Sequence, residues 1–261
     1  MAPILLAMLA QATTPLAATG KWVIEGDNNM CALLRPFGDG GDKVTWGLRL
    51  WPLGENVDVV TFTQSMAMDV DRGNVQAAID TAAPVSSTYV RFSVGHGQRL
   101  GSATFPASLL AALADAKQLT LAFERQKPIQ LQLPDMKPGL KALDGCKALL
   151  LKSLSIDPAW EAQVATPAQP IGKERNWFSS DDYPSTAIEG GMQGTSQMLL
   201  TIGTDGRVAR CVTFGSTGNK EMDAAACQGF QRKGRYSPAR DKQGRAILSY
   251  TSDSVSWVIP D

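Results

Sequence analysis

The sequence is poor in histidine, and this limits the chemistry it can support. Its 261 residues include a single histidine, His96. A metal site built on several histidines is therefore excluded, and any catalytic triad would depend on this one residue. His96 lies between two glycines in Ser93-Val-Gly-His-Gly97, and the chain contains no G-x-S-x-G motif. The pattern favours an exposed histidine in a turn over a catalytic base.

The chain also has no excess of charge of either sign. Lysine plus arginine and aspartate plus glutamate both number 25, which gives a formal net charge of zero. Proteins that bind nucleic acids usually carry a basic excess, so this class is disfavoured. The acidic pairs Asp69-Val-Asp71 and Asp181-Asp182 do not continue into a calcium-loop pattern, and we interpret them as a solvated turn and as first-turn acids of a helix. We predict no metal ion and no cofactor.

Long apolar runs are missing as well. The run Pro3–Ala10 is much shorter than the roughly 20 apolar residues that a membrane-spanning helix needs. It is followed by Ala10-Gln11-Ala12, a cleavage pattern of secretory signals. The sequence therefore predicts a signal peptide at residues 1–12, export to the periplasm and no transmembrane span.

Cysteine is scarce, and its distribution is informative. Cys31 and Cys146 lie in the first part of the chain, and Cys211 and Cys227 lie in the last third. No C-x-x-C motif occurs, so neither a zinc site nor a thioredoxin-type redox site is indicated. Two cysteines in each predicted domain favour the disulfides Cys31–Cys146 and Cys211–Cys227. Four buried thiols are the alternative.

The first part of the chain, residues 21–155, is predicted to be a strand-rich α+β domain of unknown role. Residues 89–94 and 99–105 predict two strands joined by the turn that carries His96. Residues 75–81 are interpreted as a short helical turn, and residues 140–154 as a helix. Residues 156–175 contain several prolines and are predicted to be a linker.

The last part, residues 176–261, alternates strands and short helices. Val208, Val212 and Phe214 predict a strand. Apolar residues spaced by four from Met222 to Phe230 predict a helix with one buried side. A closing strand is predicted over residues 246–258.

Six short motifs in this part occur in a characteristic order. They are Tyr183-Pro-Ser-Thr-Ala187, Gly194, Asp205-Gly-Arg-Val208, Ser216-Thr-Gly218, Met222-Asp-Ala-Ala225 and Tyr236-Ser-Pro-Ala239. Together they resemble the C-terminal domain of the TonB energy-transducer family over about residues 177–261. The resemblance implies helices packed on a three-stranded antiparallel sheet.

The resemblance also implies a function. In this family the domain is not an enzyme. It binds outer-membrane receptors by pairing an extended receptor segment with the edge of its sheet, a step linked to transmembrane transport. The candidate partner-binding residues here are Arg235, Tyr236, Ser249, Thr251 and Asp253.

The expected partner is a protein of the cell envelope, and a homodimer is compatible with the same edge. The basic residues of segment 231–245 could form a lip that attracts an acidic partner, or simply a solvated helix end and turn. Two other functions stay open. The chain could be an exported enzyme with its active site in the first domain, or an envelope scaffold that transduces no energy.

Overall fold

The computed structural model describes residues 14–27, 29–53, 56–172 and 177–259. The predicted signal peptide, residues 1–12, lies outside the described residues. The chain divides into two compact units. Most of the first unit is formed by Cys31–Leu50 and Asn56–Gly145, and most of the second by Cys146–Asp261.

The first ten strands form one sheet. They are β1 (Leu16–Ala17), β2 (Val23–Gly26), β3 (Cys31–Phe37), β4 (Val44–Leu50), β5 (Asn56–Gln64), β6 (Asp71–Ile79), β7 (Val85–Gly95), β8 (Gln98–Pro106), β9 (Gln118–Phe123) and β10 (Ile129–Gln132). Their order in the sheet is β1-β10-β9-β6-β7-β8-β5-β4-β3-β2. The short helix α1 (Ser108–Leu113) lies between β8 and β9, and α2 (Lys137–Ser153) follows β10.

Strand β1 connects two strands that are far apart in this order. Leu16 pairs with Leu131 of β10 in a parallel arrangement. The backbone around β1 also bonds to the end of β3, because the Gly38 N–H donates to the Ala17 carbonyl at 2.9 Å and the Thr19 N–H to the Pro36 carbonyl at 3.0 Å. The sheet is thereby closed on itself along β1.

Apolar residues two apart on neighbouring strands share one face and build the core of the first unit. In β5, Val57 and Val59 are buried and pair with Phe105 and Ala103 of β8 on the same face. Trp46 is fully buried and packs edge to face against Phe37, with ring centroids 6.2 Å apart.

One prediction in this unit is wrong. Residues 75–81 were expected to form a helical turn, but residues 71–79 form β6, which pairs with both β7 and β9. Val75, Ala77 and Ile79 alternate inward and are buried, so the period is two rather than that of a helix. The hairpin around His96 is confirmed, since β7 and β8 flank it.

The second unit is built around a small sheet and α4. Its strands are β11 (Gln169–Pro170), β12 (Gly194–Ile202), β13 (Val208–Gly215), β14 (Tyr236–Ser237) and β15 (Ser249–Trp257), and its helices after α2 are α3 (Ser185–Glu189) and α4 (Lys220–Lys233). The antiparallel order β13-β12-β15 confirms the expected three-stranded sheet, and the protein as a whole is α+β.

The core of this unit lies between the sheet and α4. Met222, Ala226 and Phe230 are buried on one side of α4, as their spacing predicts, and they pack with Leu200 and Trp257 from the sheet. Asn219 caps the helix, because its side-chain oxygen accepts from the N–H groups of residues 221 and 222 at 2.9 and 3.1 Å.

The stretch predicted as a linker makes regular backbone contacts within the second unit. β11 pairs with β14, and the Ile171 N–H donates to the Arg235 carbonyl at 2.7 Å. Two further bonds join residues 165 and 166 to the carbonyl of Arg240. The domain boundaries at residues 155 and 176 stay a prediction.

Candidate protein-binding edge

β15 lies at one end of the three-stranded sheet. It pairs with β12 over nine residues, from Gly194 opposite Trp257 to Ile202 opposite Ser249. Among the described residues, no second strand pairs with its other side. This side of β15 is therefore an edge with backbone groups available for pairing.

The two faces of β15 differ in polarity. Val255 and Trp257 are buried in the core, whereas Ser252, Ser254 and Ser256 are exposed. This is the alternation that the sequence predicts for the closing strand. Short hydroxyl side chains keep the exposed face hydrophilic.

Two contacts indicate which backbone amides face the edge. The Ser254 N–H donates to the Asp253 carboxylate at 2.7 Å, and the hydroxyls of Thr195 and Ser256 lie 3.3 Å apart across the β12–β15 pair. The first contact directs the Ser254 amide to a side chain next to it on the same strand. The second is expected where opposite residues do not exchange backbone hydrogen bonds, because the side chains of such pairs lie closer together. The amides of Ser252, Ser254 and Ser256 then point away from β12. Those of Thr251 and Asp253 point toward it.

A buried carboxylate fixes the position of this strand. The Ser196 hydroxyl of β12 donates to Asp223 at 2.8 Å and accepts from the indole N–H of Trp257 at 3.0 Å. The Ser216 hydroxyl and the Thr217 N–H and hydroxyl also donate to Asp223. One side chain on α4 thus holds the middle strand, the loop before the helix and, through Ser196, the end of β15.

The electrostatics of Asp223 follow from these contacts. Burial by itself raises the pKa of the carboxyl, but the hydrogen bonds from Ser216, Thr217 and Ser196 outweigh burial and hold the pKa below its usual value. Asp223 is therefore an ionised structural group with its oxygens occupied. It is not poised to act as a general acid.

A disulfide ties the far strand of the sheet to the same helix. Cys211 of β13 and Cys227 of α4 are bonded, with their Cα atoms 5.5 Å apart. This confirms the predicted pair. Cys31 and Cys146 are also disulfide-bonded, so the alternative of four buried thiols is excluded. Disulfides of this kind are typical of exported proteins.

The five candidate partner-binding residues lie in two environments. Tyr236 and Ser249 are buried, and the Tyr236 ring packs 5.3 Å from that of Trp177. Thr251, Asp253 and Arg235 are half-buried, and the Arg235 guanidinium donates to the Gly234 carbonyl at 2.6 Å. The Tyr236 hydroxyl lies 3.4 Å from Asp253. Their role in binding stays a prediction.

The basic segment 231–245 is largely engaged within the unit. Arg232 and Lys233 both pair with Asp182, the latter at 2.7 Å, and Arg245 pairs with Asp241 at 2.7 Å. These contacts fit the interpretation of a helix end followed by a turn, in which cations are favoured at the last turn of α4.

Sequence reasoning missed the role of Ser196 and Asp223. Asp223 and Ser216 belong to two of the motifs that carry the family resemblance, and this placement was the available signal. Nothing in the sequence joins them to Ser196, which lies 27 residues before Asp223. Only the packing of α4 on β12 brings these groups together.

The described residues also bear on two other kinds of feature, a metal site and a membrane-spanning helix. They contain no group of three or more histidine, cysteine, aspartate or glutamate side chains that could hold a metal ion. No helix in this part of the chain is long and apolar enough to cross a membrane.

Comparison with known proteins agrees with the architecture of the second unit. No curated protein matches the chain. Residues 180–257 match the family described as Gram-negative bacterial TonB protein C-terminal. The matched region contains α3, α4 and all three strands of the small sheet. Residues 180–257 of the second unit are therefore similar to a TonB C-terminal domain, as the sequence motifs predict.

Proposed function

We propose that the protein is a periplasmic envelope protein whose TonB C-terminal domain binds a protein partner by strand addition to β15. The partner class is an outer-membrane receptor, and binding is linked to transmembrane transport. In this proposal the protein is not an enzyme. Backbone hydrogen bonds provide affinity, and the side chains beside the edge provide selectivity.

The observation that carries the proposal is the outer side of β15. This strand pairs with β12 on one side only among the described residues, and the Ser254 amide bonds to the Asp253 side chain next to it. In strand addition, an incoming carbonyl oxygen would take the place of that carboxylate as the acceptor of the Ser254 amide. The exposed serines leave room for a second strand, because their side chains are short.

The compartment and the polar edge support the same function. Disulfide-bonded cysteines fit export, and the A-x-A sequence at residues 10–12 fits a cleaved signal. The serine-rich face fits an edge that must stay soluble while unpaired.

Site-specific photocrosslinking in the envelope of a Gram-negative host tests the proposal. A photoreactive residue replaces Ser252 of the full chain, and the control carries it at Gln228, which is exposed on α4. We expect Ser252 to crosslink to an outer-membrane receptor and Gln228 not to do so. Equal crosslinking from both positions, or none from Ser252, would contradict the proposed edge.

The alternative functions give different results in the same experiment. A homodimer would produce a crosslink between two copies of the chain, and a scaffold would crosslink to envelope proteins other than receptors. An exported enzyme with its site in the first unit would retain its activity in variants of β15.

A further inference from the structure

The first unit exposes two methionines in one short loop. Met66 and Met68 lie between β5 and β6 in Ser65-Met-Ala-Met-Asp69, with 85% and 77% of their surfaces exposed. Methionine is usually buried, so two such exposures in three residues are unusual. The proposed edge on β15 does not involve this loop.

The loop is anchored at both ends. At its start, the Ser65 N–H donates to the Gly97 carbonyl at 2.8 Å. At its end, the buried guanidinium of Arg99 donates to the Asp69 carbonyl at 2.7 Å. The loop that carries both methionines is therefore held beside the β7–β8 hairpin.

The tip of that hairpin carries the single histidine of the chain. His96 and Gly97 connect β7 to β8 and both have positive φ angles, 50° and 67°. This matches a two-residue type I′ turn, in which asparagine is the usual first residue. His96 is exposed. The Met66 sulfur lies only 3.3 Å from the point that a Cβ on residue 97 would occupy, so one thioether packs against the residue next to His96.

This set of side chains has a distinct ligand chemistry. Thioether sulfur is a soft donor that selects Cu(I) among biological metal ions, and imidazole also binds copper. Zinc and calcium favour thiolate, carboxylate or several imidazole ligands, which do not cluster in the described part of the chain. The Asp69 carboxylate, next to Met68 in sequence, pairs with the buried Arg99 guanidinium at 3.6 Å and so helps to hold the end of the loop.

We propose that Met66, Met68 and His96 form a binding site for a soft monovalent cation, with Cu(I) as the biological ion. The site uses neutral ligands, so binding requires no proton release from the sulfur atoms and no redox step. It lies in the first unit and does not depend on the function proposed for β15. Failure of either proposal leaves the other intact.

Titration with Ag(I), a redox-stable soft cation, tests the site. The full chain is used without a histidine tag in chloride-free buffer, with methyl-¹³C methionine as the label. The chain has nine methionines. We expect one equivalent of Ag(I) to bind and to shift the methyl signals of Met66 and Met68. These signals are assigned from the single variants Met66→Leu and Met68→Leu.

Variants then identify the ligands. The double variant M66L/M68L should lower the Ag(I) affinity at least tenfold, and it should fold because leucine has a similar volume and both positions are exposed. His96→Asn should also weaken binding while keeping the turn, since asparagine suits this position. Met192→Leu, at an exposed methionine of the second unit, is the matched control and should bind as the wild type does.

Three outcomes would overturn the proposal. The wild type could take up no Ag(I), the combined M66L/M68L/H96N variant could bind as tightly as the wild type, or Met192→Leu could abolish binding. Far-UV circular dichroism of each variant checks that a loss of binding is not a loss of fold.

Discussion

The Ser196 hydroxyl donates a hydrogen bond of 2.8 Å to the buried carboxylate of Asp223. The same hydroxyl accepts from Trp257, the last residue of β15. The hydrogen bonds of one serine thus link the proposed binding edge to α4, in addition to the apolar core that the two elements share. Substitutions at this contact should affect the stability of the unit before they affect partner recognition.

Asp223→Asn should lower the free energy of unfolding by about 2–3 kcal/mol, because hydrogen bonds to a charged carboxylate contribute more than those to a neutral amide. The new NH₂ group would also face the hydroxyl donors of Ser216 and Thr217. Urea unfolding followed by tryptophan fluorescence measures the change. The control Asp205→Asn, at an exposed turn, should change stability by less than about 0.5 kcal/mol. Equal effects of the two changes would refute the role assigned to Asp223.

Acid should destabilise the second unit through its paired carboxyls. The pKa values of Asp223 and Asp182 are both held below their usual range, because hydrogen bonds to their carboxylates outweigh the effect of burial. The folded state then binds fewer protons than the unfolded state, so the stability is complete above about pH 5 and falls as the pH decreases through about 4 and below. Unfolding measured between pH 3 and 7 should show this slope. The slope should be smaller in Asp223→Asn, and an identical slope would contradict the assignment.

Proline substitutions in β15 should separate binding from folding. Ser252→Pro removes an amide that faces the open edge, so we expect weak partner binding in a folded protein. Thr251→Pro removes an amide that faces β12 and should destabilise the sheet. Binding is measured by crosslinking from a photoreactive residue at the exposed Ser254, because Ser252 is itself replaced, and folding is measured by urea unfolding. If Ser252→Pro binds normally, the partner does not pair with this edge.

Gly206 should tolerate no side chain. Its φ is +75°, and an added Cβ would lie 1.9 Å from the Tyr236 carbonyl oxygen. Gly206→Ala should therefore cost about 3 kcal/mol or more through both strain and overlap. Gly244 has nearly the same φ, +77°, but no heavy atom lies within 4 Å of an added Cβ. Gly244→Ala should cost only about 1–2 kcal/mol. Similar losses measured by urea unfolding would show that the contact with Tyr236 is unimportant.

The Cys211–Cys227 disulfide should contribute about 3 kcal/mol, because it closes a short loop in the unfolded chain. Replacing both cysteines by alanine should lower the unfolding free energy by this amount.

Alkylation tests whether all four cysteines are bonded. Without reductant, the native protein should have no thiol labelled. After reduction and unfolding, all four cysteine thiols should be labelled. Labelling before reduction would contradict the structure.

The sequence predicts the second unit well because its signals are local. The turn at Asp205-Gly206, the cap at Asn219 and the spacing from Met222 to Phe230 each specify structure within a few residues. The alternation in β15 likewise predicts which residues are buried.

Features that depend on distant pairing could not be predicted. Residues 75–81 were interpreted as a short helical turn, since Ala77 and Ala78 hide a weak alternation. Only the pairing of β6 with β7 and β9 specifies a strand. The position of Met66 beside the hairpin of His96 depends on the order of strands in the sheet. The contact between Ser196 and Asp223 depends on helix packing.

The position of β1 in the sheet has a consequence for the order of folding. Leu16, near the start of the described chain, pairs with Leu131, near the end of the first unit. The sheet can close only after nearly all of that unit has been synthesised. Contacts between such distant parts of a chain form slowly, because the loop between them must lose its conformational freedom first. We therefore expect closure at β1 to be a late step in the folding of the first unit, one that leaves the strand ends of β3 and β10 exposed to chaperones until it is complete.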